Sequence, residues 1–137
     1  MGTAIAPSLS TNGVRAARAA AYLALWMLAR LIDPATLPRP RIVVLFHVIG
    51  RRPPNRYWLV LSGTGNEVCA TAPGFAEDGR VEADTAHLVR WYASEITLAA
   101  AKRDGGMTIT APRWLERQLA AWGHLNPYVS GVTLNNP

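Results

Sequence analysis

Nucleophilic catalysis needs a thiol or hydroxyl beside a base that is itself oriented by an acid, and here the candidates are Cys69 with His47, His87 or His124. None of them stands in a local motif diagnostic of that chemistry. His47 interrupts an apolar run, the setting of a core or edge histidine satisfied by hydrogen bonds, while His87 and His124 fall at half-exposed positions of helical patterns. No two histidines have the i, i+4 spacing of a metalloprotease, and a single cysteine permits neither an intramolecular disulfide nor a cysteine metal cage. The close carboxylates are Glu77 with Asp78 and Glu82 with Asp84. Glu82 alternates with Val81 and Ala83 as a solvent-facing strand residue does, and Asp84 is placed to cap a helix. The glycines of SGTGN lack the length, lysine and following helix of a phosphate-binding loop, so they are turn residues. The residues therefore point to no catalytic group, no metal and no cofactor.

What stands out instead is apolar. Half of the 137 residues are hydrophobic, only 17% are charged, and five are tryptophan. A chain of this length buries a real core, and its composition argues against disorder. Tryptophan and phenylalanine fill cores in any protein, but a one-layer sheet covered by helices with bulky apolar faces and small alanines (Ala99, Ala100, Ala101, Ala120, Ala121) can also leave an apolar cleft between the layers. The net charge of +5 comes from basic residues of which only Lys102 is lysine. These arginines are dispersed, without the clustered stripe of a nucleic-acid binder. The lone cysteine fits a reducing cytoplasm. The apolar stretch Ala19 to Ala29, bracketed by Arg18 and Arg30, is too short to span a bilayer and is not followed by a signal cleavage site.

Residues 1–13 read as a loose leader, and residues 14–137 as a single domain. Helix formers from Val14 to Ile32 predict a helix capped by Ser10, Thr11 or Asn12 and stopped at Asp33-Pro34; its apolar residues cover so much of the circumference that packing on more than one side is expected. RIVVLFHVIG and RYWLVLS are strands by length and β-branching, GTGN is a hairpin turn, EVCA is a third strand, and together they predict an antiparallel meander. TAPGFAEDG is a connecting loop and RVEA a short fourth strand. Asp84 or Thr85 caps a helix to Tyr92 with Leu88, Trp91 and Tyr92 on its sheet side. Ser94 or Thr97 begins a short helix through LAAAKR, and MTIT is a fifth strand with Met107 and Ile109 facing one way. A last helix starts with Pro112 at its first position and carries Leu115, Leu119 and Trp122 on one face.

Several strings come in a familiar order: YWLVL, EVC, APGF followed shortly by an aspartate, V-x-A-D, LVRWYASEITLAAAKRDGGMTI, then a tryptophan-bearing helix. From about Arg41 to Trp122 the chain resembles the sterol-carrier-protein-like (SCP2-type) domain at the C-terminal end of certain bacterial winged-helix (HxlR-type) transcriptional regulators. It departs from them in lacking room for a DNA-binding module, and in having Ala111 where the family shows glycine before the last helix. The resemblance implies an α+β fold: a single five-stranded, mainly antiparallel sheet covered by helices, in the order α-β-β-β-crossover-β-α-α-β-α. It implies non-enzymatic binding of a fatty acyl or sterol-like lipid between sheet and helices, at apolar positions of the matched elements: Phe46, Trp58, Val60, Leu88, Trp91, Leu98, Met107 and Trp122. The alternative is a protein–protein interaction or regulatory dimerisation module using the helix Val14 to Ile32. The partners expected are thus an apolar small molecule or a second copy, with no nucleic acid and no transmembrane segment.

Overall fold

The computed structural model describes residues 20–127. The expected leader, the start of the first helix at Val14 with its caps, and the tail from 128 lie outside the described residues. Helix α1 covers residues 20–31. Two residues beyond its end stands Asp33, whose carboxylate accepts the Ala35 N–H at 2.9 Å and so caps the 3-10 turn Pro34–Thr36. Strands β1 (Arg41–Val48), β2 (Arg56–Ser62) and β3 (Gly65–Cys69) then form the antiparallel meander. The chain crosses over to β4 (Gly79–Ala83), parallel to β1, and continues through α2 (Thr85–Tyr92) and α3 (Leu98–Arg103). It returns as β5 (Met107–Thr110), antiparallel to β4, and finishes in α4 (Arg113–Trp122). The strand order is β3-β2-β1-β4-β5, a five-stranded mixed sheet in an α+β fold.

Strand alternation divides the sheet into two unlike faces. Ile42, Val44 and Phe46 of β1, Tyr57, Leu59 and Leu61 of β2, Val81 and Ala83 of β4 and Met107 of β5 share one core cluster with Leu25 and Leu28 of α1, Leu88 and Trp91 of α2, Leu98 of α3, and Leu115, Leu119 and Trp122 of α4. All four helices thus bury their apolar sides against the same face. Removing each of these leucines from water contributes roughly 1.5–3 kcal/mol. α4 comes so close to β4 that a Cβ on Gly79 would lie 2.5 Å from Leu115 Cδ2 and 2.9 Å from Ala111 Cβ, a contact glycine alone permits. α1 is fastened to the sheet by Asn66, whose Nδ2 donates to the carbonyls of Ala29 at 3.0 Å and Ile32 at 2.9 Å, two groups that the end of a helix leaves without backbone partners.

Three local expectations change. The β2–β3 turn is the two-residue Gly63-Thr64, shorter than GTGN, because Ser62 pairs with Gly65 and its N–H is also held by Asn66 Oδ1 at 3.2 Å. Pro112 is the N-cap of α4, with extended ψ of 159°, so the helix begins one residue later. Among the described residues α1 packs on one side: Ala21, Leu25, Leu28 and Ala29 are buried, whereas Tyr22, Leu23 and Trp26 are 39%, 51% and 41% exposed. Its apolar circumference therefore exceeds what this sheet covers. Among the described residues no helix is long and apolar enough to cross a membrane.

Candidate functional site

Two of the three histidines, His47 and His87, are built into structural bridges, whereas His124 stands exposed just after α4. His47 Nδ1 lies 3.4 Å from Glu82 Oε2 while its Nε2 accepts from Asn55 Nδ2 at 3.2 Å, which sets the Nδ1–H tautomer. Glu82 also accepts from Arg80 at 3.3 Å, so this carboxylate is a tie between side chains rather than a free strand residue. His87 stands between two carboxylates, with Nδ1 3.0 Å from Asp84 and Nε2 3.2 Å from Asp104. The Asp84 and Asp104 hydrogen bonds raise the imidazole above its ordinary pKa against the opposing effect of burial. Partial burial opposes ionisation of Asp84, but the backbone and ring hydrogen bonds of His87 outweigh it and the carboxyl is lowered. The Gly106 N–H and the His87 ring lower Asp104 in the same way. A Cβ on Gly106 would collide with the His87 ring, so glycine there is what lets the ring reach both carboxylates.

Cys69 is not brought to any of them. It lies opposite Trp58 on β3, and burial, helped by the charge of Glu67, pushes its thiol up, away from the thiolate a nucleophile requires. Asp78 is equally structural: its carboxylate accepts the Val43 N–H at 2.8 Å and its own N–H donates to the Val43 carbonyl at 2.7 Å, which starts the parallel pairing of β4 with β1. Among the described residues, no group of three histidine, cysteine or acidic side chains could hold a metal ion.

The eight apolar positions separate into two sets. Phe46, Leu88, Trp91, Leu98, Met107 and Trp122 meet in the layer between sheet and helices, each 4% exposed or less. Phe46 and Trp91 have ring centroids 6.0 Å apart, and the Trp91 indole N–H donates to the Leu119 carbonyl at 3.2 Å. Trp58 and Val60 point to the other face, because Trp58 pairs with Leu45 and Val60 with Val43, out of phase with Phe46. Leu98 also borders a shallow groove between α3 and α4 lined by Lys102, Arg113, Glu116 and Ala120.

One edge of the helix layer is open. Trp26, Met27, Arg30 and Leu31 of α1 face Tyr92 of α2 and Pro127 across an apolar seam of about 210 Å³. The Tyr92 hydroxyl reaches the Met27 sulfur at 3.6 Å, and the Arg30 guanidinium lies 4.6 Å from the Trp26 ring centroid. The sequence reading missed Met27, Arg30 and Tyr92 as a group. The i, i+4 spacing of Trp26 and Arg30 in an otherwise apolar helix was the available signal; that Tyr92 lies across from them depends on how α1 and α2 dock.

No family model matches the sequence, and no curated protein matches it. Solved structures do. A "UbiJ-SCP2 Ubiquinone synthesis protein" is 18% identical, with 89% of this chain and 93% of that chain covered and a TM-score of 0.52. Sterol Carrier Protein 2 Like 2 from Aedes aegypti is 15% identical, with 79% of this chain and 97% of that chain covered and a TM-score of 0.53. These likenesses show the fold: an SCP2-like five-stranded mixed sheet with helices.

Proposed function

We propose that this protein binds a hydrophobic small molecule of the fatty acyl or sterol-like class without catalysing its conversion. The observation that carries the reading is the apolar seam between α1 and α2, which borders the very layer where Phe46, Leu88, Trp91, Leu98, Met107 and Trp122 converge. The SCP2-like fold supports it, since the similar structures include one named a sterol carrier protein and one named a ubiquinone synthesis protein, both concerned with apolar molecules. The seam is smaller than the roughly 300–1,000 Å³ of typical ligand pockets. A guest must therefore move α1 off the sheet to enter fully, and Trp58 and Val60, which point to the opposite face, take no part in holding it. Arg30 at the mouth is placed to meet a polar head group. Native mass spectrometry of the purified protein, with titration of a fluorescent fatty acid, tests this. Retained lipid or saturable micromolar binding that Met27→Trp abolishes by filling the seam is expected; absence of both overturns the reading.

A second reading has its own observation. Tyr22, Leu23 and Trp26 form an exposed apolar strip on α1, which suits a homodimer or a regulatory contact of the kind an effector domain of a transcriptional regulator makes. Light scattering separates the two, since a monomer at all concentrations removes the dimer.

A further inference from the structure

The segment leading into β1 reads Leu37-Pro38-Arg39-Pro40-Arg41, and both of its arginines border a groove of about 800 Å³ whose strand residues, Val60, Ser62 and Glu67, lie on the face of the sheet turned away from the helices. The groove runs between this linker, the Val60 end of β2 and Phe75 of the β3–β4 loop. Each guanidinium is seated on an aromatic ring: Arg41 3.7 Å from the Phe75 centroid and Arg39 4.2 Å from the Trp114 centroid. Among the described residues neither forms an ion pair or a side-chain hydrogen bond. A guanidinium resting on a ring is held by one flat side, and the N–H donors around its edge stay free for a planar oxyanion. Proline on both sides of Arg39 limits the backbone freedom lost when such a ligand docks.

The floor decides what accompanies the anion. Val60 is 4% exposed, and Leu37, Pro38 and Phe75 complete a flat apolar surface beside the two charges. Glu67 stands exposed on the rim from β3, and its charge opposes a ligand bearing more than one negative charge. Asp78, which borders the adjoining cleft with Arg39 and Arg41, is held by the Val43 N–H and forms no ion pair with either arginine.

We infer that this groove is a binding site for an amphipathic carboxylate, a single carboxyl group on a flat apolar body, with Arg41 and Arg39 taking the carboxylate and Val60, Leu37 and Phe75 the body. It is independent of lipid binding at the α1–α2 seam. The test is an NMR titration of amide and indole N–H signals with 2-naphthoate, neutral 2-naphthalenemethanol and inorganic phosphate. Saturable shifts around Arg39, Arg41, Val60 and Phe75 with naphthoate alone are expected. Arg41→Gln and Arg39→Gln should each weaken binding about tenfold or more, the loss of one charge-assisted contact. Both are surface changes, and circular dichroism verifies that they fold. Met27→Trp should bind naphthoate as the wild type does, so failure of the lipid reading leaves this result unaffected. Naphthoate binding that survives both arginine substitutions, equal binding of the neutral alcohol, or phosphate binding as tightly as naphthoate would each overturn the assignment, as would the absence of saturable shifts.

Discussion

The two faces of the sheet are made by the same strands, residue by residue in alternation, yet they are built for different work. The helix-covered face presents Ile42, Val44, Phe46, Leu59, Leu61 and Val81, all 1% exposed or less, and the indole nitrogen of Trp91 at its centre has a carbonyl to donate to. The other face mixes Val43, Leu45 and Val60 with Arg41, Arg56, Arg80, His47 and Glu82. In the row Trp58–Leu45–Arg80 two buried nitrogens, Trp58 Nε1 and Arg80 Nε, have no hydrogen-bond partner among the described residues. Native interiors seldom tolerate such orphans, so the second face is the less optimised of the two for stability. It is where polar recognition has room, whereas the first face must be pried open to admit anything.

Substitutions sharpen this contrast, and the largest effect is expected on the helix-covered face. Trp91→Ala should cost about 3–5 kcal/mol in urea denaturation, because the ring fills the centre of the core and the helices around it cannot fully collapse; a loss under about 1 kcal/mol would mean that the layer already contains slack. Asn66→Ala should cost about 1–2 kcal/mol by stranding the Ala29 and Ile32 carbonyls, and should speed hydrogen exchange in α1 more than in α4. On the opposite face Trp58→Phe should leave stability unchanged or raise it by up to about 1 kcal/mol, since it removes an unpaired donor. A loss as large as that of Trp91→Ala would break the comparison.

The smallest effect belongs to the clamp of His87. Its pKa is raised by folding, so its contribution is present below the unfolded value of about 6.5 and is lost as pH rises through the folded value. Asp84 and Asp104 are lowered, so their contribution is present above about pH 4 and fades on acidification. The stability difference between wild type and His87→Gln should therefore peak between these limits, stay small because the clamp is exposed to solvent, and shrink toward pH 9. Thermal melts across that range measure it. Gly106→Ala, which pushes the ring away from Asp104, should flatten the same profile.

Local pattern carried a long way in this chain. The strand length and β-branching of RIVVLFHV and RYWLVLS, the helical spacing of Leu88 with Trp91 and of Leu115, Leu119 and Trp122, and the caps, narrowed to Asp84 or Thr85 and to Ser94 or Thr97, were legible because each depends on neighbours a few residues apart. Sequence likewise marked the apolar residues as a group, but alternation fixes facing only within a strand. It could not say that Phe46 would join Trp91 while Trp58 and Val60 turned away, since that depends on which side of the sheet the helices occupy. The parallel placement of β4 beside β1, the reach of Asn66 to the end of α1, the seam at Tyr92 and the seating of Arg39 and Arg41 on Trp114 and Phe75 all join residues far apart in the chain. Such contacts are selected by the packing of whole elements against one another, and only the tertiary structure decides them.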